Sequence, residues 1–252
     1  MSTYPRAHTV KIPVELEQAP WRDRAQANPY GVCPLVIITR GWTYDDEYRR
    51  GADLDMSLFQ EWLYHEVGKT IRTVPAVRID SVKTAEQHAA ANIYLDIASQ
   101  VRSEPARSDE AGERVDFCNS KRLYVLYSTG DTGLANMAGR QPFSCPPDPS
   151  NPLEPWGPGR AGGPSGWAME LVARHQVPES QIPTDVRPAV NLVRGATLHE
   201  MLHCLGVQHP TEDEHGPQAW LSPMAGYWFF GTPECHLLPH EVTYLRESHF
   251  FA

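Results

Sequence analysis

One segment limits what this chain can fold into more than any other: His199-Glu200-Met201-Leu202-His203-Cys204-Leu205-Gly206-Val207-Gln208-His209. It reads H-E-x-x-H-x-x-G-x-x-H. Residues four apart share one face of an α-helix, so His199 and His203 point the same way only if the segment is helical. The helical reading runs back to Pro188, a residue suited to a first turn, and predicts a helix over 188–205. Gly206 is placed to end it, because glycine enters the left-handed backbone region without a side-chain penalty. Three residues later comes His209. Any fold that holds this sequence has to bring a helix end and the turn after it to one point.

Three imidazoles arranged in this way are expected to be metal ligands. Ligation by histidine alone, with no thiolate, suits zinc, and three protein ligands leave the fourth position of a tetrahedral ion open, as in catalytic rather than structural sites. The expectation is one zinc ion per chain on His199, His203 and His209. Glu200 is offset by one position, so it points beside the ion, where a base takes a proton from water. At average residue frequencies, a chance match to the five fixed positions is on the order of one in 100,000 for a chain of this size. Nearby, His215 reads as a solvated loop residue and Cys204 as core packing. Asp213 and Glu214 read as solvated acids, with a share in a calcium site as the alternative.

The rest of the chain supplies the frame. Leu35-Val36-Ile37-Ile38-Thr39 is a continuous apolar run, the pattern of a parallel strand buried on both faces. Val77-Arg78-Ile79-Asp80 and Leu123-Tyr124-Val125-Leu126-Tyr127 read as strands. Ala168 to Val172 reads as a further strand, and Ile93-Tyr94-Leu95 also leans towards one. Ser57 to Thr70 has helical spacing at Leu58, Trp62, Leu63 and Val67, and Leu238 to Phe250 is expected to be the last helix. Residues 1–31 read as a polar arm. Residues 142–166, dense in proline and glycine, read as a long loop. Trp42, Trp156, Trp167, Trp220, Trp228 and Phe229 read as core or loop anchors. Strands alternating with helices place the chain in the α/β (α+β) class.

The 252 residues suffice for a sizeable core. A formal charge of −9 argues against nucleic acid and against anionic membranes, since both need a basic surface, and it favours neutral or basic substrates. No apolar run is long enough to span a membrane. The N-terminus shows no secretory leader, so the expectation is a cytoplasmic protein without a propeptide, or a secreted one whose leader has been removed. The five cysteines (Cys33, Cys118, Cys145, Cys204 and Cys235) cannot all pair and favour reduced thiols, with Cys118 to Cys145 as a pairing open to an exported form. Cys33 is expected to be a buried strand-edge residue.

The zinc segment resembles the signature of the metzincin metallopeptidases. Leu221-Ser222-Pro223-Met224-Ala225 is similar to their Met-turn, Leu238 to Arg246 to their closing helix, and Thr132-Gly133-Leu134-Ala135 to the antiparallel edge strand that pairs with an extended substrate. The resemblance implies a metzincin-like fold: a twisted mixed sheet with an antiparallel edge strand and long helices, then a small irregular C-terminal subdomain ending in a helix. It divides the chain into an upper subdomain (1–209) and a lower one (210–252), with the active site in the cleft between them. It implies a zinc-dependent hydrolase, a protease, that cuts a peptide or peptide-like substrate. Water activated at the zinc attacks the scissile carbonyl while Glu200 takes the proton and passes it to the leaving amine. Met224 is the implied Met-turn residue. Tyr227, three residues after it where some members carry a tyrosine two after, is the implied additional catalytic residue. Two other readings stand beside this one: a dedicated biosynthetic or maturation hydrolase acting on one peptide-like metabolite, and a zinc-containing binding module without turnover, against which an intact Glu200 argues.

Overall fold

β1 (Gly31–Ile38) is buried at all eight of its positions, which explains why its sequence is a continuous apolar run rather than an alternating one. The computed structural model describes residues 19–90, 93–103, 115–117, 119, 121–129, 187–226 and 230–252. In chain order α1 (Pro20–Gln26) precedes β1, and α2 (Asp46–Val67) and β2 (Val77–Asp80) follow it. Next come α3 (Ala85–Ala89), α4 (Ile93–Ser103), β3 (Arg122–Ser128) and α5 (Arg187–Cys204). The chain ends with α6 (Glu212–His215), a 3-10 turn (Gly216–Leu221), α7 (Pro223–Gly226) and α8 (Pro239–Glu247). No helix among the described residues is long and apolar enough to cross a membrane.

The described sheet has three strands in the order β2-β1-β3, parallel on both sides of β1. Leu35 pairs with Val77 on one side and with Leu126 on the other. Side chains alternate across the sheet, and each face has its own core. Cys33, Leu35, Ile37, Ile79, Tyr124 and Leu126 pack with Ile93 and Ile97 of α4 on one face. Val32, Val36, Val125 and Tyr127 pack with α2, α5 and the C-terminal segment on the other. Leu198, Met201, Leu202 and Leu205 of α5 are buried in that second core. The sheet is thereby the rigid support on which the helix carrying His199 and His203 lies.

The C-terminal segment shares this core. Met224, Leu237, Leu245, Phe250 and Phe251 join it, and the backbones of Thr70 and Ala252 exchange hydrogen bonds of 3.0 and 3.2 Å. Below the sheet end, Ser81 Oγ is 2.8 Å from His88 Nε2, and His88 Nδ1 is 3.1 Å from Asp96 Oδ2. Lys83 Nζ donates to the other oxygen of Asp96 at 2.5 Å. His88 is 1% exposed, and this chain of bonds ties α3 and α4 to the end of β2.

Several expectations need correction. Ile93-Tyr94-Leu95 is not a strand but the start of α4; Ile93, Ile97, Ala98 and Val101 line one helical face on the sheet. The N-terminal arm contains α1, whose Trp21 and Ala25 are buried, with Trp21 stacked on Tyr64 at 5.7 Å. Cys33 lies on the central strand rather than at an edge. Trp42 and Trp220 are 41% and 44% exposed, so neither is a core anchor. α2 starts at Asp46, well before Ser57, and the last helix is confined to Pro239–Glu247. The suggested strand at 168–172, the edge strand at 132–135, the loop at 142–166 and the pair Cys118 and Cys145 lie outside the described residues, as do Trp156, Trp167, Trp228 and Phe229.

Candidate metal centre

α5 ends in a Schellman turn built around Gly206. The amide of Gly206 donates to the carbonyl of His203 at 2.9 Å, and that of Val207 to Leu202 at 3.0 Å, the paired bonds of that motif. Gly206 has φ +97°, a conformation that L side chains rarely adopt. A Cβ there would also stand 2.9 Å from Tyr244 Cζ and 3.0 Å from Cε1. Two constraints therefore require glycine: the backbone turn, and the close approach of α8 through Tyr244. Val207 and Leu202 are both buried in the core, which supplies the apolar contact that accompanies this turn.

The turn delivers His209 to the other two histidines. His209 Nε2 lies 2.8 Å from His203 Nε2 and 3.1 Å from His199 Nε2. One ligand atom from each of the three falls within 4.8 Å of the others. The opposite nitrogens explain which lone pairs face inward. His199 Nδ1 bonds the carbonyl of Pro223 at 2.9 Å and His203 Nδ1 that of Val207 at 2.8 Å. A carbonyl only accepts, so both Nδ1 atoms carry the proton and both Nε2 atoms present lone pairs. Burial pushes the pKa of both His199 and His203 down, against the opposing pull of those carbonyls, which keeps the rings neutral and able to ligate.

This donor set fits a cation. A single N–H on His209 cannot serve both inward lone pairs, whereas one positive ion serves all three nitrogens. A tetrahedral ion with metal–nitrogen bonds of about 2.0–2.1 Å needs nitrogens about 3.3 Å apart, and the observed separations are close to that. The three histidines can hold a metal ion, and the carbonyls of Pro223 and Val207 orient the rings, as second partners of metal-binding histidines do. Glu200 stands beside them: its Oε1 is 4.0 Å from His199 Nε2, and its side chain is 31% exposed. Among the described residues this is the one cluster of three or more His, Cys, Asp or Glu side chains close enough together for an ion.

Next to it, joined through the Pro223 carbonyl, Ser222-Pro223-Met224 forms a tight turn. The carbonyl of Ser222 accepts from the amides of Ala225 at 3.0 Å and Gly226 at 2.8 Å, and Ser222 Oγ accepts from the amide of Met224 at 3.0 Å. Met224 is 1% exposed and packs in the same core as Met201 and Leu202. Ser222 Oγ also reaches both oxygens of Glu241, at 2.8 and 3.0 Å, and the amide of Leu238 donates to Glu241 Oε2 at 2.8 Å. Glu241 therefore caps α8 and ties it to the turn. Burial pushes its carboxyl up to about 7, against the pull of Leu238 and Ser222.

Comparison with known proteins adds a fold and no family. No family model matches the chain, and no curated protein matches it. Among solved structures it is similar to wild-type OgpA from Akkermansia muciniphila, at 13% identity with a TM-score of 0.51. The match covers 98% of this chain and 64% of that one. The chain thus spans less than two thirds of its structural neighbour, and at this identity the likeness concerns the fold alone.

His199, His203 and His209 meet at one point with Glu200 beside them, and Met224 lies in the turn whose Pro223 carbonyl holds His199. Tyr227 lies outside the described residues. His215 is not a bare loop residue: it ends α6 and stacks on His240 at 4.4 Å. Sequence reasoning missed Pro223 and Val207 as orienting groups because they act through backbone carbonyls, which carry no residue-type signal. It also missed Glu241, whose readable sign was a glutamate three residues after the residue preceding α8, the spacing of a capping box.

Proposed function

We propose that this protein is a zinc-dependent peptidase of the metzincin type. His199, His203 and His209 hold the ion, and Glu200 acts as the general base and then the general acid. The observation that carries the reading is the inward convergence of three imidazole Nε2 atoms, two of them with Nδ1 tied to a backbone carbonyl. The Schellman turn at Gly206, the turn at Met224 and the tie from Glu241 to Ser222 support the metzincin-like arrangement, with a cleft between an upper unit (1–209) and a lower one (210–252). Bound zinc supplies Lewis acidity and lowers the pKa of water into the neutral range.

The chain's own residues do the rest. Glu200, on the same helix as two ligands and 4.0 Å from His199 Nε2, takes the proton of the attacking water. It then returns that proton to the amine nitrogen that leaves. The carbonyls of Pro223 and Val207 hold the two rings fixed while charge develops at the centre. α5, seated on the sheet, keeps Glu200 and its two neighbouring ligands in fixed relation.

A digest of a peptide library, read by mass spectrometry, tests this. The wild-type protein is expected to cleave and Glu200→Ala to lose cleavage while still binding about one zinc per chain. Equal cleavage by both proteins would overturn the role given to Glu200. A wild-type protein that holds zinc and cuts nothing would overturn the peptidase reading.

A further inference from the structure

A cavity of about 550 Å³ opens against the third histidine of the metal centre. Its walls include His209, Glu214, His215, His240 and Tyr244. That size lies within the usual range for ligand pockets. His209 belongs to both, so the cavity adjoins the metal centre.

One wall carries a stacked pair of imidazoles. The imidazoles of His215 and His240 come from separate elements, α6 and α8, and lie face to face at 4.4 Å with 7° between their planes. Burial and the adjoining His215 push His240 down, while Glu214 pulls it up. Glu214 is thus close enough for its charge to be felt at the stacked pair. Thr211 Oγ1 donates to Glu214 Oε2 at 3.0 Å and its side chain also caps the amide of Glu214 at 3.3 Å, which fixes the carboxylate at the wall. Among the described residues, no lysine or arginine lines the cavity. The other carboxylate there, Glu241, is engaged with Ser222 and Leu238. The remaining acids of α6, Glu212 and Asp213, lie in the same short helix and add to the negative field.

A stacked aromatic pair near a hydrogen-bonded carboxylate, with no lysine or arginine among the described lining residues, suits one side-chain chemistry above others. A guanidinium lies flat on an aromatic ring and offers a carboxylate two parallel N–H donors. An ammonium meets the charge requirement but not the planar one. An acidic side chain meets only like charge. The geometry points to this cavity as the subsite that receives a basic side chain of the peptide, arginine ahead of lysine, with Glu214 and the His215–His240 pair as the residues that determine specificity. The assignment rests on the peptidase reading above and names the substrate class for that same site.

The test is cleavage-site profiling with the zinc-loaded full chain, comparing wild type, Glu214→Gln and Glu214→Arg. In wild type, cut peptides are expected to be enriched in arginine, then lysine, at one fixed position from the scissile bond. For matched peptides with arginine or alanine at that position, the arginine-to-alanine ratio of kcat/KM is expected to fall about 10-fold in Glu214→Gln, the loss of one charged contact. In Glu214→Arg the preference is expected to move to glutamate or aspartate at the same position. Zinc content of each variant, read alongside, confirms that the centre is loaded. Cleavage by wild type with no basic preference, or with a basic preference that both variants retain, overturns this assignment and leaves the peptidase reading standing. A loaded wild-type protein that cleaves nothing overturns the peptidase reading, and the assignment falls with it.

Discussion

His203 Nδ1 donates to the carbonyl of Val207 at 2.8 Å, and the amide of the same Val207 closes the end of α5 on Leu202 at 3.0 Å. One residue thus terminates the helix with its N–H and, with its C=O, orients one of the three histidines that can hold a metal ion. Helix ending and ligand geometry are a single structural event, and Gly206 is the residue that permits it.

Gly206→Ala is expected to damage both together. Forcing an alanine to φ +97° costs about 1–3 kcal/mol, and the new Cβ also meets the Tyr244 ring. Thermal unfolding should show the stability loss, and a chelator competition should show weaker zinc binding. Adding Tyr244→Ala should restore part of the stability, the part due to contact, and leave the backbone cost in place. A Gly206→Ala protein with wild-type stability and zinc affinity would contradict this reading of the turn.

Glu241 joins the cap of α8 to the turn whose Pro223 carbonyl orients His199. In Glu241→Ala the Leu238 amide and the Ser222 hydroxyl lose their partner, at a cost of about 1–3 kcal/mol for a buried polar group left unmade. Disturbing an outer partner of a metal-binding histidine costs about 10–100-fold in affinity. Glu241→Gln keeps an acceptor and should lose less of each. Urea denaturation and zinc competition on the two variants check the order.

The legibility of the site in sequence follows from how each group acts. The convergence of the three histidines, the place of Glu200 beside them and the turn at Gly206 could be read because they depend on residue type at helical intervals. The parallel strand could be read because β1 is covered on both faces and admits no polar alternation. The stack of His215 on His240 joins residues far apart in sequence, and no periodicity links them. The strand reading at Ile93 failed because β-branched and aromatic residues dominate a short window, while the deciding spacing, Ile93 to Ile97, emerges only over a full helical turn.

Arg194 of α5 and Asp55 of α2 form an ion pair of 2.9 Å, with side chains 3% and 0% exposed. Among the described residues, Asp55 Oδ2, Arg194 Nη2 and Tyr127 Oη are buried without a hydrogen-bond partner. Burial pushes the Asp55 carboxyl up and Arg194 pulls it down. Arg194→Met should therefore cost about 3–5 kcal/mol, because it leaves the carboxyl uncompensated, whereas Arg194→Met with Asp55→Leu should lie near wild type or above it. Urea midpoints of the single and double variants decide the matter; equal losses in both would contradict the assignment.

His88 supplies a pH dependence. Burial pushes its pKa below 6.5, against the pull of Asp96. Above the unfolded value of about 6.5 the ring is neutral in both states and costs nothing. Below it the unfolded chain binds a proton that the folded chain resists, so stability falls as pH falls, by up to about 1.4 kcal/mol per pH unit. His88→Gln should flatten the curve of unfolding free energy between pH 7 and 5 relative to wild type. Parallel curves would show that His88 does not carry this term.

The metal centre is tested most directly by X-ray absorption fine structure of the zinc-loaded protein. The geometry predicts a first shell of three imidazole nitrogens and one oxygen at about 2.0–2.1 Å. A shell containing sulfur at about 2.3 Å, or a nitrogen shell left unchanged by His209→Ala, would contradict a zinc ion held by His199, His203 and His209.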